Sequence, residues 1–147
     1  MLRPPRPMDD DEIEALLARD LLVRVASLDS RGFPHVTPLW FVWSDGAFHM
    51  TSISDRPHLR RLERNSRTGA CVDSEQPERP DGQRPNQQVR AVGEAELFPD
   101  DGQQWTHRLD RKYLSAPAAE QRAAERAGDE RVVIRLRPMR LVAVASV

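Results

Sequence analysis

The sequence has a single cysteine, Cys71. An intrachain disulfide and a cysteine-built zinc site are thereby excluded, and a reducing, cytoplasmic setting is the natural expectation. Long apolar runs are also missing. The longest, Leu39–Trp43 and Leu141–Ala145, are five residues each. Neither a membrane-spanning helix nor a secretory apolar segment fits in that length. No charge sign dominates, with 22 basic residues against 23 acidic ones and a net charge of -1. Nucleic-acid binders normally carry a basic excess, so no nucleic acid and no membrane is expected as partner. Lysine is nearly absent. Lys112 is the sole lysine among the 22 basic residues, and arginine favours forked recognition of anions over point-charge contact.

Catalytic motifs are absent too. There is no GxSxG, no P-loop and no GxGxxG, and the histidines at 35, 49, 58 and 107 lack HExxH-type spacing. The pattern supports no metal site and no protein-borne nucleophile. Cys71 falls in the middle of a strand pattern and reads as a small buried apolar side chain.

What is present fits one domain, since 147 residues lie within the usual domain size. Residues 1–8 hold three prolines and two arginines and read as a flexible arm. Residues 9–147 read as a single domain. Asp9 and Glu12 form the pattern of a capping box, which predicts a short amphipathic helix to Arg19. Strands are predicted over 22–28, 33–43 and 47–52, joined by turns at Asp29–Gly32 and Ser44–Gly46. Pro57 opens a helix, where its missing N–H costs nothing. Strands follow over 68–73 and 88–98, separated by a polar loop at 74–87 that is long for a compact domain. Pro99 and Asp100 start a further helix, with Gln103 as capping partner. Its Trp105, Leu109 and Tyr113 share one face and read mainly as packing. Pro117 interrupts, an Ala/Glu/Arg helix runs to Ala127, and strands 131–137 and 140–147 close the chain. Short hairpin connections exclude parallel crossovers there. The expected class is mainly β (α+β), an antiparallel split β-barrel with short peripheral helices.

Two segments carry candidate chemistry. Thr51 and Ser52 end a strand that runs into a helix start bearing Arg56, His58, Arg60 and Arg61. Free N–H groups, the positive dipole end and guanidinium groups suit a phosphate, while a solvated basic helix face explains the same residues. The second segment is Gly32 to Phe41. Its Pro34 and Pro38 fit a strand that meets a ligand, or an ordinary sheet edge.

These residues also carry a resemblance. Arg31 through Phe41, Asp45-Gly46, Thr51-Ser52 through Arg56 to Leu62, Asn65-Ser66-Arg67 and the GxAEL-like Gly93–Leu97 come in an order and spacing that resemble a known family. It is the pyridoxamine 5′-phosphate oxidase-like split β-barrel superfamily, and within it the flavin/deazaflavin-dependent oxidoreductases. The likeness covers most of 10–145. It implies a homodimer with flavin-type cofactors in clefts at the interface. The strand with His35, Thr37 and Pro38 would line the ring, and Thr51 and Ser52 would meet the cofactor's chain or ring. Arg56, with His58, Arg60 and Arg61, would hold the phosphate. His58 stands where the family often has lysine, and Arg61 where it often has asparagine. The implied activity is hydride transfer between bound coenzyme F420, or FMN as second choice, and a small organic acceptor. The alternative is a flavin-, deazaflavin- or tetrapyrrole-binding protein without turnover. Either way the cofactor carries the chemistry and no catalytic side chain is required.

Overall fold

The computed structural model describes residues 5–76 and 80–145. Its elements are β1 (Arg6–Pro7), α1 (Asp10–Ala18), β2 (Val23–Leu28), β3 (Pro34–Leu39), β4 (Val42–Ser44), β5 (Ala47–Ile53), α2 (Pro57–Arg64), β6 (Arg67–Glu75) and β7 (Asn86–Pro99). A 3-10 turn (Asp101–Gln103), α3 (Gln104–Tyr113), α4 (Ala116–Glu125), β8 (Arg131–Leu136) and β9 (Arg140–Ala145) follow.

All strand pairings are antiparallel. The main path runs β3-β2-β6-β7-β8-β5-β4, with β9 pairing β7 and β1. The path begins at β3 and ends at β4 without joining them, so the sheet stays open. The fold is therefore mainly β, of the α+β class, an antiparallel split barrel with short helices around it.

The long β7 organises both halves. Its first part pairs with β6 and β9, and its last five residues pair with β8. β8 and β9 thus lie end to end along one edge of β7, interrupted at Pro138. The changeover falls at Gly93. A Cβ there would sit 2.9 Å from the Leu136 side chain and 3.0 Å from the Arg137 carbonyl, so only glycine fits.

The core is the inward face of this sheet. Val23, Val25, Phe41, Phe48, Met50, Val72, Val89, Ile134 and Leu136 are buried together, with Leu16 and Leu17 of α1 and Leu59 and Leu62 of α2 packed in. α1 has the capping box its sequence announced. Asp9 accepts from the Glu12 N–H at 2.8 Å, and Glu12 accepts from the Asp9 N–H at 3.3 Å. Asp45 and Gly46 both take positive φ, as a two-residue hairpin turn requires.

Four expectations need correction. The strand expected over 33–43 is two strands. β3 pairs with β2 and β4 pairs with β5, so the chain changes neighbour at Trp40-Phe41. The side chains of α3 satisfy the backbone at that break. Tyr113 Oη accepts from the Phe41 N–H at 3.1 Å, and Lys112 Nζ donates to the Phe41 carbonyl at 2.8 Å. The arm expected over 1–8 is anchored from Arg6 on. Arg6–Pro7 pair with Val144 and Ala145, Met8 is buried, and Arg6 makes a two-pronged contact with Glu12 at 2.8 Å. Residues 1–4 lie outside the described residues. The polar loop expected over 74–87 is shorter, because β6 and β7 extend their pairing to Glu75 and Asn86. Part of it, 77–79, also lies outside the described residues. Gln103 occupies the N-cap position of α3 but makes no side-chain capping bond. Asp100 accepts from the Trp105 and Thr106 N–H groups, while the Gln103 amide donates to the Arg126 and Asp129 carbonyls.

Candidate functional site

The basic segment at the end of β5 does become a helix start. Pro57 stands at the first turn of α2, and the N-cap Arg56 makes no side-chain capping bond. Three arginines and a histidine lie here, in four different situations. Arg56 is exposed and makes no ion pair among the described residues. Arg60 is tied back to Asp55, at 2.8 Å to its carboxylate and 3.0 Å to its carbonyl. Arg61 is half-buried and donates through Nε to Ser27 Oγ at 2.8 Å. His58 is half-buried, and its Nε2 atom has no hydrogen-bond partner. Burial, then the charges of Arg61 and Arg56, push the His58 pKa down. It therefore stands at neutral pH as an uncharged ring, a hydrogen-bonding group rather than a cation.

Strand alternation divides the remaining candidates. His35 and Thr37 stand opposite Ser27 and Val25 in the register, on the sheet's inner face with α2. Pro38 stands opposite Arg24 on the outer face. His35 is engaged locally, since its Nε2 lies 2.9 Å from the Asp29 carboxylate, which also accepts from the Arg31 and Phe33 N–H groups. Those donors, His35 first, hold the Asp29 carboxyl below its usual range. Thr51 and Ser52 are adjacent in an extended strand, so they point to opposite faces. Ser52 is buried, with its hydroxyl on the Ile53 carbonyl at 3.2 Å. Thr51 turns the other way, toward α3 and β8, and accepts from Arg131 Nη2 at 3.2 Å. The structure thus joins His35, Thr37 and Arg61 on one side of the sheet. It brings Pro38 and Thr51 together at a separate cavity.

That cavity, ≈ 170 Å³, lies between the Pro38–Trp40 segment, β5, α3, α4 and β8. Its polar lining includes Arg122, Arg126, Arg131, Thr106 and Asp110, none of which stood out in the sequence. A signal existed. Thr106 and Asp110, and likewise Arg122 and Arg126, are spaced four apart on their helices and so share a face. Trp40 closes one wall, stacked on Tyr113 with ring centroids 4.7 Å apart and with the Arg122 guanidinium 4.9 Å from its centroid.

The aromatic stripe of α3 divides by residue. Leu109 is buried. Trp105 is half-buried and stacks on His49 at 3.8 Å, with the Arg108 guanidinium 4.4 Å from its centroid. Cys71 is also not the buried side chain expected. It lies half-buried on the outer face of β6, opposite Arg24 and Arg90. Burial, then Asp73, hold its thiol above the usual pKa, the reverse of an activated nucleophile.

The outer face of β2, β6 and β7 forms a groove of ≈ 700 Å³ lined by Ala26, Leu28, Gly69, Val92 and Met139, with Arg67, Glu94 and Arg140 at its rim. Val36, Val92 and Met139 are 65%, 55% and 78% exposed. No helix among the described residues is long and apolar enough to cross a membrane.

With the sheet path and the α2 corner in place, the comparisons with known proteins decide the family. The family model described as pyridoxamine 5′-phosphate oxidase matches residues 9–145. The chain belongs to that family. No curated protein matches it in sequence. Among solved structures, an F420 reductase is 26% identical with a TM-score of 0.61, covering 87% of this chain and 94% of its own. A FAD-binding protein from Mesorhizobium loti is 19% identical with a TM-score of 0.67, covering 99% of this chain and 100% of its own. A FAD and heme binding protein from Mycobacterium smegmatis is 17% identical with a TM-score of 0.72, covering 98% of this chain and 74% of its own. The last two likenesses are of fold.

Proposed function

We propose that this member of the pyridoxamine 5′-phosphate oxidase family is an oxidoreductase working through a bound flavin-type cofactor, coenzyme F420 ahead of FMN. The observation that carries the reading is the α2 start. Arg56 is a guanidinium without an ion pair among the described residues, at a helix N-terminus, and His58 Nε2 is a buried ring atom without a partner. An anionic phosphate fits both. The similarity to an F420 reductase at 26% identity supports the deazaflavin over FMN. When bound, such a cofactor supplies hydride transfer to a small organic acceptor. The chain's own share is to bind and orient. Arg56 and His58 hold the phosphate, and Arg61, fixed by Ser27, adds positive charge behind them. His35 and Thr37 line the inner face beside that corner.

The reading includes a homodimer. The outer apolar groove, with basic and acidic groups together at its rim, suits a second copy of the chain. Half-buried, reduced Cys71 suits a cytoplasmic setting. A second reading, a cofactor-holding protein without turnover, is favoured by the engagement of Arg60 with Asp55 and Arg61 with Ser27. Those contacts leave Arg56 as the one free guanidinium of the three.

One experiment tests the proposal. Sedimentation velocity of the apo-protein with F420, and separately with FMN, is followed at the cofactor's visible absorbance. Cofactor should sediment with a species of twice 16.8 kDa. Arg56→Ala should weaken binding by about 10-fold or more, the scale of one charged hydrogen bond. Neither cofactor co-sedimenting would end the reading. Binding without reduction of any acceptor by the reduced cofactor would select the carrier.

A further inference from the structure

The cavity beside Trp40 is separate from the α2 corner and is built differently. Three guanidinium groups converge on it, from Arg122 of α4, Arg126 at the C-cap of α4 and Arg131 of β8. Arg131 is half-buried and spends its donors on hydroxyls, with Nε to Thr106 Oγ1 at 3.0 Å and Nη2 to Thr51 Oγ1 at 3.2 Å. It makes no ion pair within 4 Å among the described residues, and its pKa is lowered by burial and then by the charge of Arg126. Arg126 makes no side-chain hydrogen bond or ion pair among the described residues. The one carboxylate in the lining, Asp110, is 2% exposed. Its Oδ1 lies 3.6 Å from Arg122 Nε, beyond hydrogen-bond length, and its Oδ2 and Arg122 Nε are both buried without partners. Asp100, behind the wall, is already taken by the Thr106 hydroxyl at 2.7 Å and two backbone N–H groups.

These groups ask for two things of one ligand. The lining carries excess positive charge, with unspent donors on Arg126 and Arg131, and so takes an oxyanion. The unpartnered Asp110 Oδ2 takes a hydrogen-bond donor and repels a ligand that offers acceptors alone. Leu39, Trp40 and Leu109 provide apolar contact for a short carbon chain. A volume of ≈ 170 Å³ admits only a small molecule.

We propose that this cavity binds a small carboxylate carrying a donor beside its carboxyl, of the 2-hydroxy acid class. The carboxylate meets Arg126 and Arg131, and the hydroxyl donates to Asp110 Oδ2. The site goes beyond the cofactor reading and does not depend on it.

The test is titration calorimetry of the full-length apo-protein with lactate, acetate and inorganic phosphate. No cofactor is present, so failure here and failure of the cofactor reading are distinguishable. Lactate should bind saturably, and acetate, which lacks the donor, should bind about 10-fold more weakly. Arg126→Ala should weaken lactate by about 10-fold or more with an unchanged far-UV spectrum, because its side chain supports no other group. Asp110→Asn should shrink the difference between lactate and acetate. Should that variant fail to fold, the wild-type comparison of lactate with acetate still decides. No saturation by lactate, equal affinity for acetate, tighter binding of phosphate, or indifference to Arg126→Ala would each overturn the site.

Discussion

Two regions of this molecule are rich in arginine, and they are organised in opposite ways. The α2 corner takes its cations from one short segment of the chain, Arg56 to Arg61. The cavity beside Trp40 takes its own from α4 and β8. At α2 the charges of Arg56 and Arg60 are exposed, with Arg60 neutralised locally by Asp55, and only Arg61 is half-buried, on Ser27 of β2. At the cavity the charges are half-buried and meet hydroxyls, an aromatic face and a carboxylate too distant to bond. Density of charge along a sequence therefore says little about its energetic weight. Burial decides that weight, because a desolvated polar group must be matched while an exposed one is matched by water.

The comparison predicts large stability effects on the α3 side and small ones at α2. The largest is expected at Asp100. It is 7% exposed, it accepts the Trp105 and Thr106 N–H groups that start α3, and it accepts the Thr106 hydroxyl that in turn supports Arg131. Thr106 Oγ1 also lies 3.1 Å from Thr51 Oγ1, but its single proton goes to the shorter, charged contact with Asp100. Asp100→Ala leaves these donors buried and unmatched and should cost about 2–4 kcal/mol in urea unfolding. A loss below about 1 kcal/mol would mean that the network relaxes, and the contrast between the two regions would dissolve.

The α3 side also sets a pH dependence. His49 is 3% exposed, stacks on Trp105, and accepts from Arg135 Nε at 3.0 Å. Burial first, then the charge of Arg135, lower its pKa to about 4 from 6.5. Arg108, lying over Trp105, acts in the same direction. The unfolded chain therefore binds more protons than the folded one between these values. Stability is fully present above pH 6.5 and falls as the pH drops toward 4, by up to about 3 kcal/mol. Glu12, held down to about 2 by Arg6, titrates below this window, while His58, also lowered by burial, adds to the same slope. Chemical denaturation between pH 7 and pH 4 should show the slope, and His49→Gln should reduce it, leaving the smaller share that His58 contributes. An unchanged slope in the variant would place the acid sensitivity elsewhere.

The same division explains what was legible in the sequence. The split barrel was, because hairpin turns such as Asp45-Gly46 and the capping box at Asp9 are short-range features with short-range causes. The α2 corner was, because its residues are contiguous. The break at Trp40-Phe41 was not. Tyr113 and Lys112 make it, and they lie some seventy residues away. The opposed directions of Thr51 and Ser52 follow from strand alternation alone, yet a motif read as a string placed them on one ligand. The arginine cavity was hidden for a further reason. Its members are unremarkable one by one, and only the docking of α4 against α3 and β8 sets Arg122, Arg126 and Arg131 around Asp110.

The smallest expected effect is at Arg60, and it sharpens the contrast most directly. Its guanidinium is 57% exposed and its partner Asp55 81% exposed, so solvent screens their 2.8 Å contact. Asp55 itself holds a positive φ of 71° in the turn before α2, a conformation that the Arg60 contact to its carbonyl at 3.0 Å helps to fix. Arg60→Ala should therefore change unfolding free energy by no more than about 0.5 kcal/mol. It should also alter cofactor affinity by no more than about 2-fold, because its donors already point back at Asp55 rather than outward like those of Arg56. A 10-fold loss of cofactor affinity on Arg60→Ala would show that the contact with Asp55 opens when the ligand arrives. The α2 cations would then act as one cluster, as their order in the sequence suggests, and not as the single free arginine that the geometry presents.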